Sequence, residues 1–191
     1  MAGPEQGRKT RESGYNQRGE FAPVRPPSAA IRISLPTLGE TERLAARVAA
    51  LAAPGDFIGL SGPLGAGKTA FARAFLLAMA ARQGVAPPSE VPSPTFTLVQ
   101  SYALGAVEVA HFDLYRLRSP EEARELGIDE AQQRVVVLVE WPERLADPRL
   151  ADRRPRDRLD VTLTLDADEV RTASLAAHGS WQSRASRLAP P

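Results

Sequence analysis

The chain has 191 residues, 43% of them hydrophobic, which suits one domain with a buried core and terminal tails. Its 24 basic and 23 acidic residues nearly cancel, so bulk charge is excluded as a means of holding nucleic acid or a membrane surface. It has no cysteine, which excludes disulfides, thiolate nucleophiles and cysteine metal sites, and no apolar run approaches the roughly 18 residues of a spanning helix.

Residues 1–30 are polar and aperiodic and are expected to be a disordered tail. No signal-peptide core is visible there, so a soluble, cytoplasmic protein is expected. The ordered domain is expected over 31–180, with a frayed C-terminal segment over 181–191. Ile31 to Leu35 alternates as a short strand does. Thr37-Leu38-Gly39-Glu40 fits a capping box, and Leu44, Val48 and Leu51 then mark one face of a helix that Pro54-Gly55 ends. Residues 56–61 read as a buried strand running into a glycine-rich loop, and residues 68 to about 82 as an alanine-rich helix.

The prolines at 87, 88, 92 and 94 exclude regular structure over 87–94. Residues 95–102 and 107–113 read as two strands of a hairpin turning at Gly105. Ser119-Pro120-Glu121-Glu122 starts a short helix that Gly127 ends. Residues 135–139 form the most apolar run, as in a central strand covered on both faces. A basic loop over 153–158 follows, then strands at 159–165 and 171–177 expected near a sheet edge. The alternation predicts an α/β fold, a mixed, mostly parallel sheet flanked by helices on both faces, and the sequence Gly62-x4-Gly67-Lys68-Thr69 between a strand and a helix makes it P-loop NTPase-like.

Gly62-Pro63-Leu64-Gly65-Ala66-Gly67-Lys68-Thr69 matches the Walker A pattern. Glycines permit backbone conformations that let successive N–H groups face one concavity, and the following helix adds its own unpaired N–H groups. Lys68 would reach the outer phosphates of ATP and the Thr69 hydroxyl would bind Mg²⁺. Lys68 is one of only two lysines beside 22 arginines, which marks a position needing a compact ammonium.

Two acids stand at strand ends as candidates to fix the metal or its waters: Glu140 after the run 135–139, and Asp113 after Val109-Ala110-His111-Phe112. Either could instead be a solvated strand-end carboxylate, and His111 reads as a packed or hydrogen-bonded strand residue. Ser93-Pro94-Thr95 fits a segment whose Thr95 hydroxyl senses the γ-phosphate or the metal, and fits equally the start of a strand. Trp141 would cover a ligand or pack in the core. Arg153, Arg154, Arg156 and Arg158 read as a solvated basic loop, with a phosphate clamp as the other reading.

Taken together, the segments 62–69, Pro-Ser-Pro-Thr-Phe-Thr-Leu-Val (92–99), His-Phe-Asp-Leu-Tyr-Arg-Leu (111–117), Glu-Leu-Gly-Ile-Asp-Glu (125–130) and Val-Leu-Val-Glu-Trp-Pro-Glu-Arg-Leu (137–145) resemble the bacterial TsaE (YjeE) family in order and spacing. The resemblance implies a weakly hydrolysing, Mg²⁺-dependent ATPase that supports threonylcarbamoyladenosine formation on tRNAs reading codons that begin with adenine. It implies association with TsaB and TsaD homologues, tRNA being met indirectly, and no transfer of the threonylcarbamoyl group by the chain itself. By the same resemblance, 62–69 hold the phosphates, Thr69 and Glu140 bind Mg²⁺, and Asp113 falls at an acidic position important for hydrolysis. Thr95 falls on a switch-like segment, Trp141 on a tryptophan after the metal acid, and Thr41 near a nucleotide contact. Pro63 departs from the acid often found there.

A small-molecule kinase using the basic loop as its lid is the competing reading, but no clear acceptor motif accompanies it. No Asn-Lys-x-Asp occurs, which excludes guanine selection by that motif. A pure interaction module is disfavoured by the intact Lys68, Thr69 and Glu140.

Overall fold

The computed structural model describes residues 30–117, 122, 125–145, 154–166 and 170–189. Along the chain these form β1 (Ile31–Leu35), α1 (Leu38–Leu51), β2 (Phe57–Ser61), α2 (Lys68–Gln83), β3 (Val99–Leu104), β4 (Val107–Asp113), α3 (Ile128–Gln132), β5 (Val136–Glu140), β6 (Arg158–Leu165), β7 (Arg171–His178) and α4 (Trp181–Ala185), with short 3₁₀ turns after β5 and α4. The expected tail lies outside the described residues, as do most of the expected helix before Gly127 and Arg153. Gly127 does take a left-handed conformation (φ 69°), and α3 begins directly after it.

The seven strands form one sheet in the order β1-β7-β6-β2-β5-β4-β3. β6, β2, β5 and β4 run parallel, β7 and β3 oppose their neighbours, and β1, antiparallel to β7, points with the parallel group. Five of the seven strands therefore share a direction, as a mixed, mostly parallel sheet requires. Strand alternation divides the core in two. Ile58, Leu60, Val109, Val136 and Leu138 meet the cluster containing Leu44, Val48, Phe71, Phe75 and Met79 of α1 and α2. Phe57, Ala110, Phe112, Val137 and Val139 face a second cluster closed by Leu114, Leu117 and Ile128. Burying each ring of Phe71 and Phe75 contributes roughly 1.5–3 kcal/mol, so α2 is held firmly against the sheet. No described helix is long and apolar enough to cross a membrane.

Four expectations need correction. Residues 95–98 form a turn in place of the start of a strand: the Leu98 amide donates to the Pro94 carbonyl (2.6 Å), and Leu98 sits at φ 64°. β6 is an interior strand between β2 and β7, and the described sheet ends at β1 and β3. The capping box is half formed: Thr37 Oγ1 accepts from the Glu40 amide (3.2 Å), but the Glu40 carboxylate pairs with Arg43. The closing segment is docked instead of frayed, with Trp181 and Leu188 fully buried and Arg47 donating to the carbonyls of Arg187 and Ala189 (2.8 Å each).

Candidate functional site

The glycine-rich loop leaves the carboxyl end of β2 and enters α2. Two of its glycines are sterically required. Gly62 has φ 136°, and a Cβ there would lie 2.2 Å from the Leu163 carbonyl oxygen. Gly67 has φ 100° and serves as the N-cap of α2, where a Cβ would meet the Arg171 guanidinium at 3.1 Å. No side chain caps α2, so its first N–H groups and positive dipole end face the loop. Arg171, opening β7, braces the loop by donating from Nε to the Ala66 carbonyl (2.5 Å). Gly65 and the buried Ala66 complete the turn, while Leu64 at its tip is 66% exposed.

Lys68 is folded over this loop. Its Nζ donates to the Gly62 and Pro63 carbonyls (2.8 Å each) and stands 3.8 Å from the centre of the Trp141 ring. Burial lowers its pKa, and Glu140, Glu143 and Asp113 pull in the opposite direction. Trp141 adopts φ 63°, a conformation that costs a non-glycine residue roughly 1–3 kcal/mol. Its ring meets Tyr115 at 5.1 Å, so it packs beside the loop and covers the lysine at once.

The two acids end neighbouring strands and pair in register, Asp113 opposite Glu140. Glu140 accepts from Thr69 at Oε2 (3.0 Å) and faces His111 Nε2 at Oε1 (3.0 Å). Asp113 accepts at Oδ2 from Thr95 (2.7 Å) and by a short bond from Ser93, and at Oδ1 from the Tyr115 amide (3.0 Å). Neither is the solvated strand-end carboxylate of the alternative reading, for both are buried. The expected residues Lys68, Thr69, Glu140 and Trp141 are therefore brought together, with Asp113 and Thr95 alongside. Thr41 is fully buried in the first turn of α1, and its hydroxyl has no hydrogen-bond partner among the described residues.

The donor set can be tested for fit to Mg²⁺. No group of three or more His, Cys, Asp or Glu suited to a metal occurs among the described residues. Thr69 Oγ1 and Glu140 Oε2 are hard oxygen donors side by side, and Mg²⁺ takes few protein ligands and fills its remaining positions with phosphate and water. The residues fit such an ion.

Sequence reasoning missed three contributors. Ser61, at the end of β2, donates to Glu143 Oε2 (3.1 Å), and burial raises the Glu143 pKa. The position of Ser61 as the last residue of β2, and of Glu143 shortly after the end of the adjacent β5, was the available signal. Arg171 carried none, being 105 residues from Ala66. The basic loop is also not simply solvated: Arg158 and Arg154 pair with Asp160 (3.0 and 3.4 Å), which removes much of the lid the kinase reading needed.

A strand, a glycine-rich loop and a helix bearing Lys-Thr, set at the carboxyl edge of a mostly parallel sheet, define an α/β protein of the P-loop NTPase type. The family profile described as "Threonylcarbamoyl adenosine biosynthesis protein TsaE" matches residues 35–173, and the chain belongs to that family. It is 34% identical over 142 residues to the tRNA threonylcarbamoyladenosine biosynthesis protein TsaE of Bacillus subtilis, covering 74% of this chain and 82% of that one. It is 41% identical over 104 residues to the protein of the same name from Rickettsia felis, covering 54% of this chain. The matched region spans 58% of that relative's length and 57% of its Rickettsia conorii counterpart. The crystal structure of Bacillus subtilis YdiB superposes with a TM-score of 0.64 at 30% identity, covering 83% of this chain and 93% of that chain.

Proposed function

We propose that the protein is a weakly hydrolysing Mg²⁺-dependent ATPase that supports threonylcarbamoyladenosine formation on tRNA beside TsaB and TsaD homologues, in the cytoplasm. The observation that carries this reading is the convergence of the glycine-rich loop, the Lys68 ammonium and the Thr69–Glu140 pair at one strand edge. Family membership supports the tRNA reaction and, through it, the choice of partners.

In this reading the loop amides and the α2 N-terminus bind phosphate oxygens, and Lys68 exchanges the Gly62 and Pro63 carbonyls for them. Thr69 and Glu140 hold Mg²⁺, which supplies charge neutralisation when bound. Asp113 orders Ser93 and Thr95 at the edge of the site. Slow turnover of the isolated chain is expected. Fast P-loop hydrolysis commonly needs an arginine on the developing charge, whereas Arg171 turns its Nε to the Ala66 carbonyl.

Lys68→Ala tests the reading. Hydrolysis by the purified chain should fall by about 10²–10³-fold, the usual loss on removing one preorganised donor. Unchanged turnover in that variant would end the proposal. Co-purification with TsaB and TsaD homologues, with and without ATP, checks the assembly.

A further inference from the structure

We infer that His111 is a positioning residue that fixes the Glu140 carboxylate for metal binding. The inference rests on the proposed site. A carboxylate only accepts, so the hydrogen of the contact sits on His111 Nε2 and is donated to Glu140 Oε1 (3.0 Å). The other oxygen takes the Thr69 hydroxyl (3.0 Å). Each carboxylate oxygen thus has its own partner, one from the sheet and one from α2, and the group cannot rotate without losing one of them.

The placement follows from strand geometry. His111 pairs with Leu138 across β4 and β5, so it stands two residues behind Glu140. Alternation with Ala110 and Phe112, which pack on the opposite cluster, turns His111 to the α2 face with Glu140. Both side chains are shut off from solvent, at 0% and 3% exposure.

A packing role alone does not explain a histidine here. Its Nδ1 is buried with no partner among the described residues. An unpaired buried polar atom costs about 1–3 kcal/mol, which an apolar residue of similar volume would avoid. What the histidine contributes is the bond to Glu140. Hydrogen-bonding partners of metal ligands typically alter metal affinity by roughly 10–100-fold when removed.

The test uses the full chain and Mn²⁺ as an EPR-visible substitute for Mg²⁺ in the ATP complex. His111→Leu keeps volume and loses the donor. His111→Asn keeps polarity but its amide stops short of Glu140. His111→Gln places an amide N–H near the position of Nε2. Mn²⁺ affinity should fall about 10–100-fold in the Leu and Asn variants and stay within a few-fold of the parent in the Gln variant. ATP affinity measured in EDTA should not move in any of them. In a Glu140→Ala background, His111→Leu should change Mn²⁺ affinity no further. The inference is overturned if the Leu or Asn variant keeps parental Mn²⁺ affinity, if Gln falls as far as Asn, or if metal-free ATP affinity drops in parallel. Should the Leu variant fail to fold, the Asn–Gln contrast decides. A parent protein that binds neither ATP nor Mn²⁺ would instead sink the site itself and the inference with it.

Discussion

The ends of β5 and β4 lie side by side, carry the same kind of side chain, and are wired differently. Glu140 is bonded to the first turn of α2 and to its own sheet, two rigid partners. Asp113, directly across from it, is bonded to Ser93, Thr95 and the Tyr115 amide, all in connecting segments. The sheet edge supplies both positions. The mechanical character of the partners then separates a fixed carboxylate from a tether.

That contrast can be broken by substitution. The largest effect is expected from Glu140→Ala, which should remove at least about 100-fold of the Mg²⁺-dependent gain in nucleotide affinity. Titrations with and without Mg²⁺ measure it, and an equal loss in Asp113→Ala would erase the distinction between the two acids. Asp113→Ala should instead lower turnover by about 10–100-fold through misplacement of the 93–95 segment, with Mg²⁺ affinity retained and faster proteolysis near residue 95. Thr95→Val removes one of the three bonds to Asp113 and should cost about 1 kcal/mol, a drop in melting temperature of roughly 2–4 °C.

The smallest effect concerns Glu143. Burial raises its pKa above the ordinary 4.5, so the folded chain holds that proton more tightly than the unfolded one. The stability it contributes is present below pH 4.5 and lost as pH rises through the raised value. Glu143→Gln should therefore gain melting temperature relative to the parent as pH rises above 4.5. A difference that stays flat over that rise would refute the assignment.

What was legible in the sequence was local. The Walker A spacing, the helix after it and Glu140 at the end of an apolar run each depend on neighbours along the chain. The failures came from contacts that composition does not record, most of them between neighbours in space. Thr95 to Leu98 has the composition of a strand, yet the Pro94 carbonyl captures the Leu98 amide and closes a turn. β6 alternates like a half-exposed strand, but its polar positions are covered by the rest of the fold: Thr162 is buried, and one carboxylate oxygen of Asp160 meets Arg158, Arg154 and His178. The His111–Glu140 and Ser61–Glu143 contacts needed strand order and register, which no short motif encodes.

The placement of Lys68 over Trp141 also gives the molecule an optical property. The chain has two tryptophans, and the second, Trp181, is fully buried beside Arg184 in the cluster built on α1 and α2. Indole emission shifts with the electric field across the ring. Withdrawal of the ammonium from 3.8 Å therefore recolours one emitter while the other serves as a steady internal reference, and lysine movement becomes readable in real time without a dye.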